Sequence, residues 1–186
     1  IECRTLDVND SQSIRKTVHE VIERHGRIDV LVNNAGISLG GFVEEVPLKD
    51  WKDAMKTNFF GLVALTQEVL PHMRTAKFGK IINIGSVSGR IGFPGYGPYA
   101  ASRFAVEGFS ESLRLEMLSY GVFVSLVEPG AYKTAIWSKG FAYLSTMQKK
   151  DSPYQKSLEA ILAYSKKTAE HASDPIVVAR TVVRIT

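Results

Sequence analysis

The chain has 186 residues, 45% of them apolar and 23% charged, which is typical of a folded globular protein and excludes disordered, collagen-like and low-complexity classes. The net charge of +4 is dispersed, in blocks no longer than pairs such as Lys149 and Lys150, which is too dilute for a nucleic-acid-binding surface. No apolar run reaches the ~18–20 residues that cross a bilayer, and no signal peptide is visible. We therefore expect one cytoplasmic domain, residues 1–186, that binds neither nucleic acid nor a membrane.

Cysteine and histidine usage argues against a metal site. Cys3 is the single cysteine, so it cannot form a disulfide within the chain. The four histidines are scattered over three predicted helical segments without the spacing of zinc ligands. We expect no bound metal.

Short β-rich runs alternate with longer helical stretches up to Gly130. Helical spacing of apolar residues, as in Ile14, Val18 and Ile22, predicts the helices. The predicted strands are residues 1–6, 28–32, 80–84 and 122–127, and the helices between them are residues 11–25, 47–76 with a break near Gly61, and 99–120.

The part of the chain after Gly130 has a different character. Residues 131–148 are aromatic and apolar without clean helical order, and residues 153–170 predict a helix. Asp174 and Pro175 predict the start of a last helix, which runs through Arg184. We interpret residues 131–170 as a lid over an apolar substrate; ordinary core or subunit contacts are an equal alternative.

Strands that alternate with helices and consist of continuous Val, Ile and Leu runs predict an α/β fold with a parallel sheet covered on both faces. In such sheets, ligands bind beyond the carboxyl ends of the strands. Small and polar residues follow four of the predicted strands at that edge, and they are Asp7, Asn33 to Gly36, Ser86, and Pro129 with Gly130. This pattern predicts a binding crevice.

Tyr99 and Ser86 are the residues best suited to chemistry in that crevice. Tyr99 and Arg103 lie four apart on one helix face, and a fixed cation favours the phenolate form of a tyrosine. The hydroxyl of Ser86 would polarise a carbonyl or alcohol oxygen while the phenol transfers a proton. The hydride of such a reaction requires a redox cofactor. The alternative is a surface Tyr–Arg pair and an ordinary turn serine.

These residues belong to a larger set of motifs, through which the chain resembles the short-chain dehydrogenase/reductase family over nearly its whole length. The resemblance implies a Rossmann-type doubly wound sheet in three αβα layers, NAD or NADP as cofactor, a secondary alcohol or ketone as substrate, and a homodimer or homotetramer. The motifs are Asp7-Val8, Asn-Asn-Ala-Gly at 33–36, Asn58 in Met-Lys-Thr-Asn-Phe-Phe-Gly, Ser86 in Gly-Ser-Val-Ser-Gly, Tyr99 in Tyr-Ala-Ala-Ser-Arg, and Pro-Gly-Ala-Tyr-Lys-Thr at 129–134.

The resemblance also implies a role for each matching residue. Ser86 would bind the substrate oxygen, Tyr99 would donate or accept the proton, and Asn58 would hold a backbone carbonyl and a water in a proton relay. Asn34 would instead hold neighbouring strands together through its side chain. The implied cofactor-binding residues are Asp7 and Val8 at the adenine, Asn33, Ala35 and Gly36 on the adenine-ribose side, Tyr99 and Arg103 at the nicotinamide ribose, and Pro129, Gly130, Tyr132 and Thr134 at the nicotinamide and pyrophosphate end.

Arg103 departs from the family pattern, which has Lys at this catalytic position. Arg keeps the charge, but its planar group is longer and does not lose a proton in proteins. We expect impaired or altered activity with less effect on cofactor binding. The alternatives are a non-catalytic nucleotide-binding protein, favoured by Arg103, and epimerase or dehydratase chemistry on the same fold.

The family's glycine-rich turn, which holds the pyrophosphate, is absent from the sequence. In the family's sheet order, residues 1–6 would be the third strand, and the first two strands and the last would be missing. The residue that selects NAD over NADP lies at the end of that second strand. We therefore expect the chain to be an excerpt of a longer protein.

Overall fold

The computed structural model describes residues 1–149 and 151–186, and its central feature is a sheet of three parallel strands in the order β1-β2-β3. Adjacent parallel strands require crossover connections, which is what the predicted alternation of strands and helices supplies. The prediction of a mixed α/β fold with a parallel sheet is confirmed. The strands are β1 (Val30–Asn33), β2 (Gly79–Ile84) and β3 (Val122–Val127).

Helices make the crossovers and form the region after the last strand. Among the described residues, none of them is both long and apolar enough to span a bilayer. A π-helical turn, Lys56–Phe60, joins α2 to α3, and a 3-10 turn, Leu118–Tyr120, ends α4. The helices are α1 (Ser11–His25), α2 (Leu48–Met55), α3 (Gly61–Ala76), α4 (Gly97–Met117), α5 (Ala135–Thr146), α6 (Gln155–Glu170) and α7 (Ile176–Ile185).

The main core lies between one face of the sheet and helices α1, α3 and α4. In the sheet register, Leu31 pairs with Ile81 and Ile81 with Val124, so one row of buried side chains crosses all three strands. On the other face, Val32 and Phe123 are exposed. We call the buried group the sheet cluster, and its residues are Ile14, Val18, Leu31, Leu65, Val69, Met73, Ile81, Leu113, Met117, Val122 and Val124.

A second hydrophobic group lies away from the sheet and joins α5 and α6 to the segment before α2. We call it the lid cluster, and its residues are Val46, Leu144, Met147, Leu158 and Leu162. Half-buried aromatic side chains, including Phe42, Trp51, Tyr96, Phe141 and Tyr143, pack against it.

Local signals fix the ends of α1 where the sequence predicts them. Asp10 accepts a hydrogen bond from the Gln12 N–H at 2.9 Å, which satisfies one of the free donors of the first turn. Gly26 adopts φ 76°, and its N–H donates to the Ile22 carbonyl at 2.8 Å. A left-handed residue at this place ends a helix and favours glycine.

The predicted strand at residues 1–6 is wrong, because the structure has no strand there and these residues are exposed. A strand is stable only beside a partner that satisfies its backbone groups. β1 pairs with β2, and the expected sheet order places two further strands between β1 and the segment at residues 1–6.

The absence of helical order predicted for residues 131–148 is also wrong, because α5 occupies most of this segment. Gly140, Leu144 and Met147 are buried, at i, i+4 and i+7 spacing, which is one face of a helix. The pattern is hard to recognise in the sequence because apolar residues also occupy the flanking faces, where Trp137, Phe141 and Tyr143 are half-buried.

Candidate functional site

Ser86 lies directly after β2, in a loop that β3 holds in place. The Gly85 N–H donates to the Val127 carbonyl at 2.7 Å, and the Val87 N–H donates to the Pro129 carbonyl at 3.2 Å. The Ser86 side chain is buried, and its hydroxyl oxygen accepts the Ser88 N–H at 3.1 Å. The predicted serine and the Pro129 loop are therefore neighbours at the carboxyl edge of the sheet.

Tyr99 lies in the first turn of α4, and Arg103 follows one turn later on the same face. The guanidinium carbon of Arg103 is 5.0 Å from the centre of the Tyr99 ring. Arg103 is 5% exposed, and its Nη1 donates to the carbonyl of Ile84, at the end of β2, at 3.1 Å. The cation thus links the tyrosine ring to the strand that leads to Ser86.

Gly36 allows the Arg103 side chain to approach the loop after β1. A Cβ atom at position 36 would lie 2.5 Å from Arg103 Nη2 and 3.3 Å from Asn58 Oδ1. Among the described residues, Arg103 Nε is buried and has no hydrogen-bond partner. A donor left unpaired in a buried position is costly unless another molecule satisfies it.

Asn58 lies in the π-helical turn between α2 and α3 and is fully buried. Its Oδ1 accepts the Ile37 N–H at 2.7 Å, and its Nδ2 donates to the Ile37 carbonyl at 2.9 Å. The same Nδ2 donates to Ser102 Oγ at 2.9 Å. Both amide hydrogens are therefore engaged, so a water of the predicted relay would have to donate to Asn58 Oδ1 or to the Ile37 carbonyl.

Ser102 is a candidate that the sequence reasoning missed. It is fully buried, and its hydroxyl donates to the Tyr99 carbonyl at 2.7 Å while accepting from Asn58. The available signal was its position three residues after Tyr99, from which a serine hydroxyl reaches a helix carbonyl. The bond to Asn58, 44 positions away in the chain, could not be read from spacing.

The roles expected for Asn33 and Asn34 must be corrected. Asn33, not Asn34, joins the strands: its Nδ2 donates to Asn83 Oδ1 at 2.9 Å and to Thr66 Oγ1 at 3.0 Å. Asn33 is 5% exposed because it ends β1 on the same face as Leu31, whereas Asn34 is exposed beyond the strand end. The side chain of Asn33 therefore does not face the crevice, and only its backbone remains available to a nucleotide.

The predicted adenine-side residues form the turn before α1. Asp7 Oδ1 accepts the Asn9 N–H at 2.8 Å, and Asn9 Nδ2 donates to Thr57 Oγ1 at 3.2 Å, next to Asn58. Val8 packs so closely on Gly61 that a Cβ at position 61 would lie 2.9 Å from the Val8 carbonyl oxygen. Ala35 and Gly36 are exposed at the end of β1. The adenine contacts themselves stay a prediction.

The loop from Pro129 to Thr134 is bound to the segment before α7. Its backbone pairs with Ser173, which donates to the Ala131 carbonyl at 3.1 Å and accepts from the Lys133 N–H at 2.9 Å. Trp137 Nε1 donates to the Tyr132 carbonyl at 2.8 Å, which attaches α5 to this loop. Gly130 and Thr134 are exposed, as nucleotide contacts would require.

Ion pairs of Arg90 connect the loop that follows Ser86 to its neighbours in the fold. Arg90 contacts Glu128 at 2.8 Å and Glu107 at 2.9 Å, which joins the loop to the end of β3 and to α4. The hydrogen bond from Arg90 lowers the pKa of Glu128. Burial, with the nearby charge of Glu128, raises the pKa of Glu107.

No group of His, Cys, Asp and Glu within residues 1–149 and 151–186 is arranged to bind a metal ion.

Tyrosine hydroxyls attach the lid to the segment around α2. Tyr143 donates to Asp50 Oδ2 at 2.6 Å, and Tyr154 donates to Glu44 Oε2 at 2.6 Å. Burial raises the pKa of Tyr143, and the hydrogen bond to Asp50 and its charge act in the same direction. The ring of Tyr154 also stacks on Phe42 with 4.4 Å between centroids.

A family model described as short chain dehydrogenase matches residues 1–143, and many relatives share substantial sequence with this chain, of which three are described. The uncharacterized oxidoreductase YusZ of Bacillus subtilis is 42% identical over 185 residues, 100% of this chain and 66% of the relative. The 3-ketodihydrosphingosine reductase of Bacteroides thetaiotaomicron is 48% identical over 129 residues, 69% of this chain and 48% of the relative. Retinol dehydrogenase 8 of Bos taurus is 41% identical over 143 residues, 77% of this chain and 45% of the relative. The chain thus spans less than two thirds of the length of these relatives.

Solved structures agree with the fold. A short-chain dehydrogenase from Streptomyces avermitilis superposes with a TM-score of 0.81 at 32% identity, covering 97% of this chain and 64% of that one. A structure described as ElxO with NADP bound superposes with a TM-score of 0.79 at 27% identity, covering 100% of this chain and 70% of that one.

Proposed function

The chain belongs to the short-chain dehydrogenase/reductase family, and on that premise we propose that it is an NAD(P)-dependent oxidoreductase that interconverts a secondary alcohol and a ketone. One observation carries the proposal. The buried cation of Arg103 contacts the Tyr99 ring, the end of the strand before Ser86, and the loop at Gly36. We infer from this arrangement that the phenol, the cation and the serine hydroxyl face one edge of the sheet.

Each side chain of the proposed catalytic set has one task. The Ser86 hydroxyl donates to the substrate oxygen, which polarises a carbonyl or orients an alcohol. Tyr99 gives its proton to that oxygen in reduction and takes the alcohol proton in oxidation, and the Arg103 guanidinium lies beside its ring. Asn58 fixes the Ile37 backbone beside them. When bound, the nicotinamide nucleotide supplies or accepts the hydride, which no side chain provides.

The residues present fit the nicotinamide-ribose end of such a nucleotide. Arg103 Nε is buried without a partner among the described residues, and Gly36, beside the guanidinium, presents no side chain. A ribose hydroxyl has the acceptor capacity that an unpaired N–H requires. The remaining proposed contacts come from Asp7, Val8, Ala35, the Asn33 backbone, and the loop with Pro129, Gly130, Tyr132 and Thr134. The NADP in the structural neighbour ElxO supports the choice of NAD or NADP.

We propose an apolar substrate, bound under a lid formed by residues 131–170. Aromatic side chains that pack on the lid cluster, such as Phe42, Trp51 and Phe141, are half-buried. Each therefore leaves apolar surface uncovered that a substrate could contact. Two relatives are named for reactions on sphingosine-type and retinol substrates, both of which are apolar.

A second candidate is a nucleotide-binding protein with impaired catalysis. Arg103 is held by the Ile84 carbonyl and lies against the Tyr99 ring, and a guanidinium does not release a proton. A proton relay that needs a titrating side chain at this position would be blocked.

Turnover by the full-length protein, measured with NADH and NADPH on a panel of apolar ketones, tests both candidates. We expect the wild-type protein to reduce at least one of these ketones. Tyr99→Phe should lose at least ~100-fold in turnover because its phenol proton is removed. Arg103→Lys should turn over faster than wild type. Nucleotide binding without turnover in both wild type and Arg103→Lys would support the second candidate. A product other than the alcohol would indicate epimerase or dehydratase chemistry instead.

A homodimer or homotetramer is part of the same proposal, formed through the helices from α2 to α3 and through α4. Phe60, Phe104 and Leu115 of these helices are exposed apolar side chains, which a subunit contact would cover. Sedimentation of the full-length protein tests this assembly. The cytoplasmic location stays a prediction from sequence.

A further inference from the structure

Ser102 is bonded both to Asn58 and to the turn of α4 that carries Tyr99, and we do not expect its buried side chain to contact substrate. It lies between Tyr99 and Arg103 on α4, and its side chain is fully buried. Its hydroxyl donates to the Tyr99 carbonyl at 2.7 Å and accepts from Asn58 Nδ2 at 2.9 Å. One small side chain therefore joins the helix turn that carries the phenol to the π-helical turn.

The bond to Ser102 also fixes which way the Asn58 amide points. Asn58 Oδ1 accepts from the Ile37 N–H, so its Nδ2 must face the Ile37 carbonyl and Ser102 Oγ. Without the serine hydroxyl, one amide hydrogen of Asn58 would be buried and unpaired, which favours reorientation or entry of water. A shift of Asn58 would move Ile37 and with it Gly36, which lies against the Arg103 guanidinium.

We propose that Ser102 is a positioning residue: through Asn58 and the Tyr99 carbonyl it holds the phenol, the Arg103 cation and the Gly36–Ile37 loop in one reactive arrangement. The proposal rests on the proposed oxidoreductase function. A misplacement of about 1 Å at reacting groups can cost ~100-fold in rate, so a residue of this kind affects turnover more than binding.

The same helix offers a matched control in Ser110. It is 4% exposed, its hydroxyl donates to the Val106 carbonyl at 2.7 Å, and it accepts from Asn83 Nδ2 at 2.8 Å. Ser110 and Ser102 thus share burial, helix and bonding pattern, but Ser110 is bonded to an asparagine of β2 rather than to the π-helical turn.

The test compares Ser102→Ala with Ser110→Ala in the full-length protein. Both variants lose one buried hydroxyl, so we expect similar decreases in melting temperature. In Ser102→Ala, kcat should fall about 10- to 100-fold while the nucleotide Kd and the KM of the best ketone change less than about threefold. Hydrogen exchange at the Ile37 amide should become at least about tenfold faster in Ser102→Ala and stay unchanged in Ser110→Ala.

Equal kcat losses in the two variants, or wild-type exchange at Ile37 in Ser102→Ala, would overturn the positioning role alone. A wild-type protein that binds no nicotinamide nucleotide and turns over no ketone would overturn the proposed function, and the positioning role with it. If Ser102→Ala does not fold, Ser102→Cys is measured instead, because a thiol keeps a weaker donor of similar size. We then expect a smaller fall in kcat and a smaller increase in exchange at Ile37.

Discussion

The sheet cluster and the lid cluster are held together in different ways. In the sheet, backbone ladders, packed helices and a buried chain of hydrogen bonds from Asn33 through Asn83 to Ser110 act together. In the lid, aromatic packing is supplemented by hydroxyl–carboxylate bonds near the surface, such as Tyr143 to Asp50. The groups proposed for proton transfer belong to the first region, and the apolar surface proposed for substrate belongs to the second.

The two regions are therefore suited to different tasks. Reacting groups need fixed positions, which a buried and densely hydrogen-bonded framework supplies. A lid over an apolar substrate needs adaptable packing, which aromatic side chains supply with few fixed bonds. Variants that damage one region should therefore leave a different signature from variants that damage the other.

The largest effect should come from truncating the sheet cluster. Ile81 and Leu144 are almost fully buried, at 0% and 1% exposure, one in each cluster. We expect Ile81→Ala to lower the free energy of unfolding by about 2–5 kcal/mol, because it leaves a cavity in the framework. Leu144→Ala should cost less in global unfolding because the smaller lid cluster can open locally, and it should raise the ketone KM. Urea titration and steady-state kinetics measure both, and equal destabilisation would show that the two clusters unfold as one.

The next effect concerns the contact between Gly36 and the Arg103 guanidinium. In Gly36→Ala the new Cβ would lie 2.5 Å from Nη2, so the cation must move away from its place. We expect kcat to fall at least about tenfold, with a smaller effect on stability because the displaced atom is the end of a long side chain. Gly92→Ala is the control, because nothing lies within 4 Å of a Cβ there.

A double variant makes this test sharper. Lysine has no planar fork, so Gly36→Ala should cost less in the Arg103→Lys background than in wild type. An undiminished loss of kcat in that background would mean that Gly36 acts on something other than the guanidinium.

The sequence predicts elements well where the signals are local. The bounds of α1 and β3 agree with the structure because Asp10, Gly26 and Gly121 are caps or turns that act on their immediate neighbours. The strand at residues 1–6 fails because pairing requires a neighbouring strand, which a local pattern does not report.

The candidate site shows the same limit at the level of side chains. The four-residue spacing predicts the contact of Tyr99 with Arg103, because a helix converts sequence spacing into geometry. The strand-joining side chain is Asn33 and not Asn34, because the last residue of β1 decides which side chain points inward and a difference of one position reverses the face. The bond between Ser102 and Asn58 depends on how two helices pack, which no local spacing encodes.

The smallest effects concern pH and should differ in direction between the two regions. On the sheet side, the pKa of Glu128 is lowered by Arg90, so this carboxylate contributes stability above its unfolded pKa of about 4.3 and loses it as the pH falls. The raised pKa of Glu107 opposes this in part, since a carboxyl with a raised pKa contributes stability at low pH that is lost as the pH rises. Arg90→Gln should lower the melting temperature by no more than about 4 °C at pH 7 and by less at pH 3, with Arg114→Gln as control.

On the lid side, the expected loss lies at high pH. Because the pKa of Tyr143 is raised, the neutral phenol contributes stability below its unfolded pKa of about 10, and this is lost as the pH rises through the folded value. Tyr143→Phe lacks the titrating group, so its stability should fall less than that of wild type as the pH rises from about 9 to about 11, on either side of the unfolded value. Tyr164→Phe, at a position 74% exposed, should behave as wild type. Melting curves across this range measure the difference, and parallel curves for wild type and Tyr143→Phe would mean that the bond to Asp50 does not hold the lid in solution.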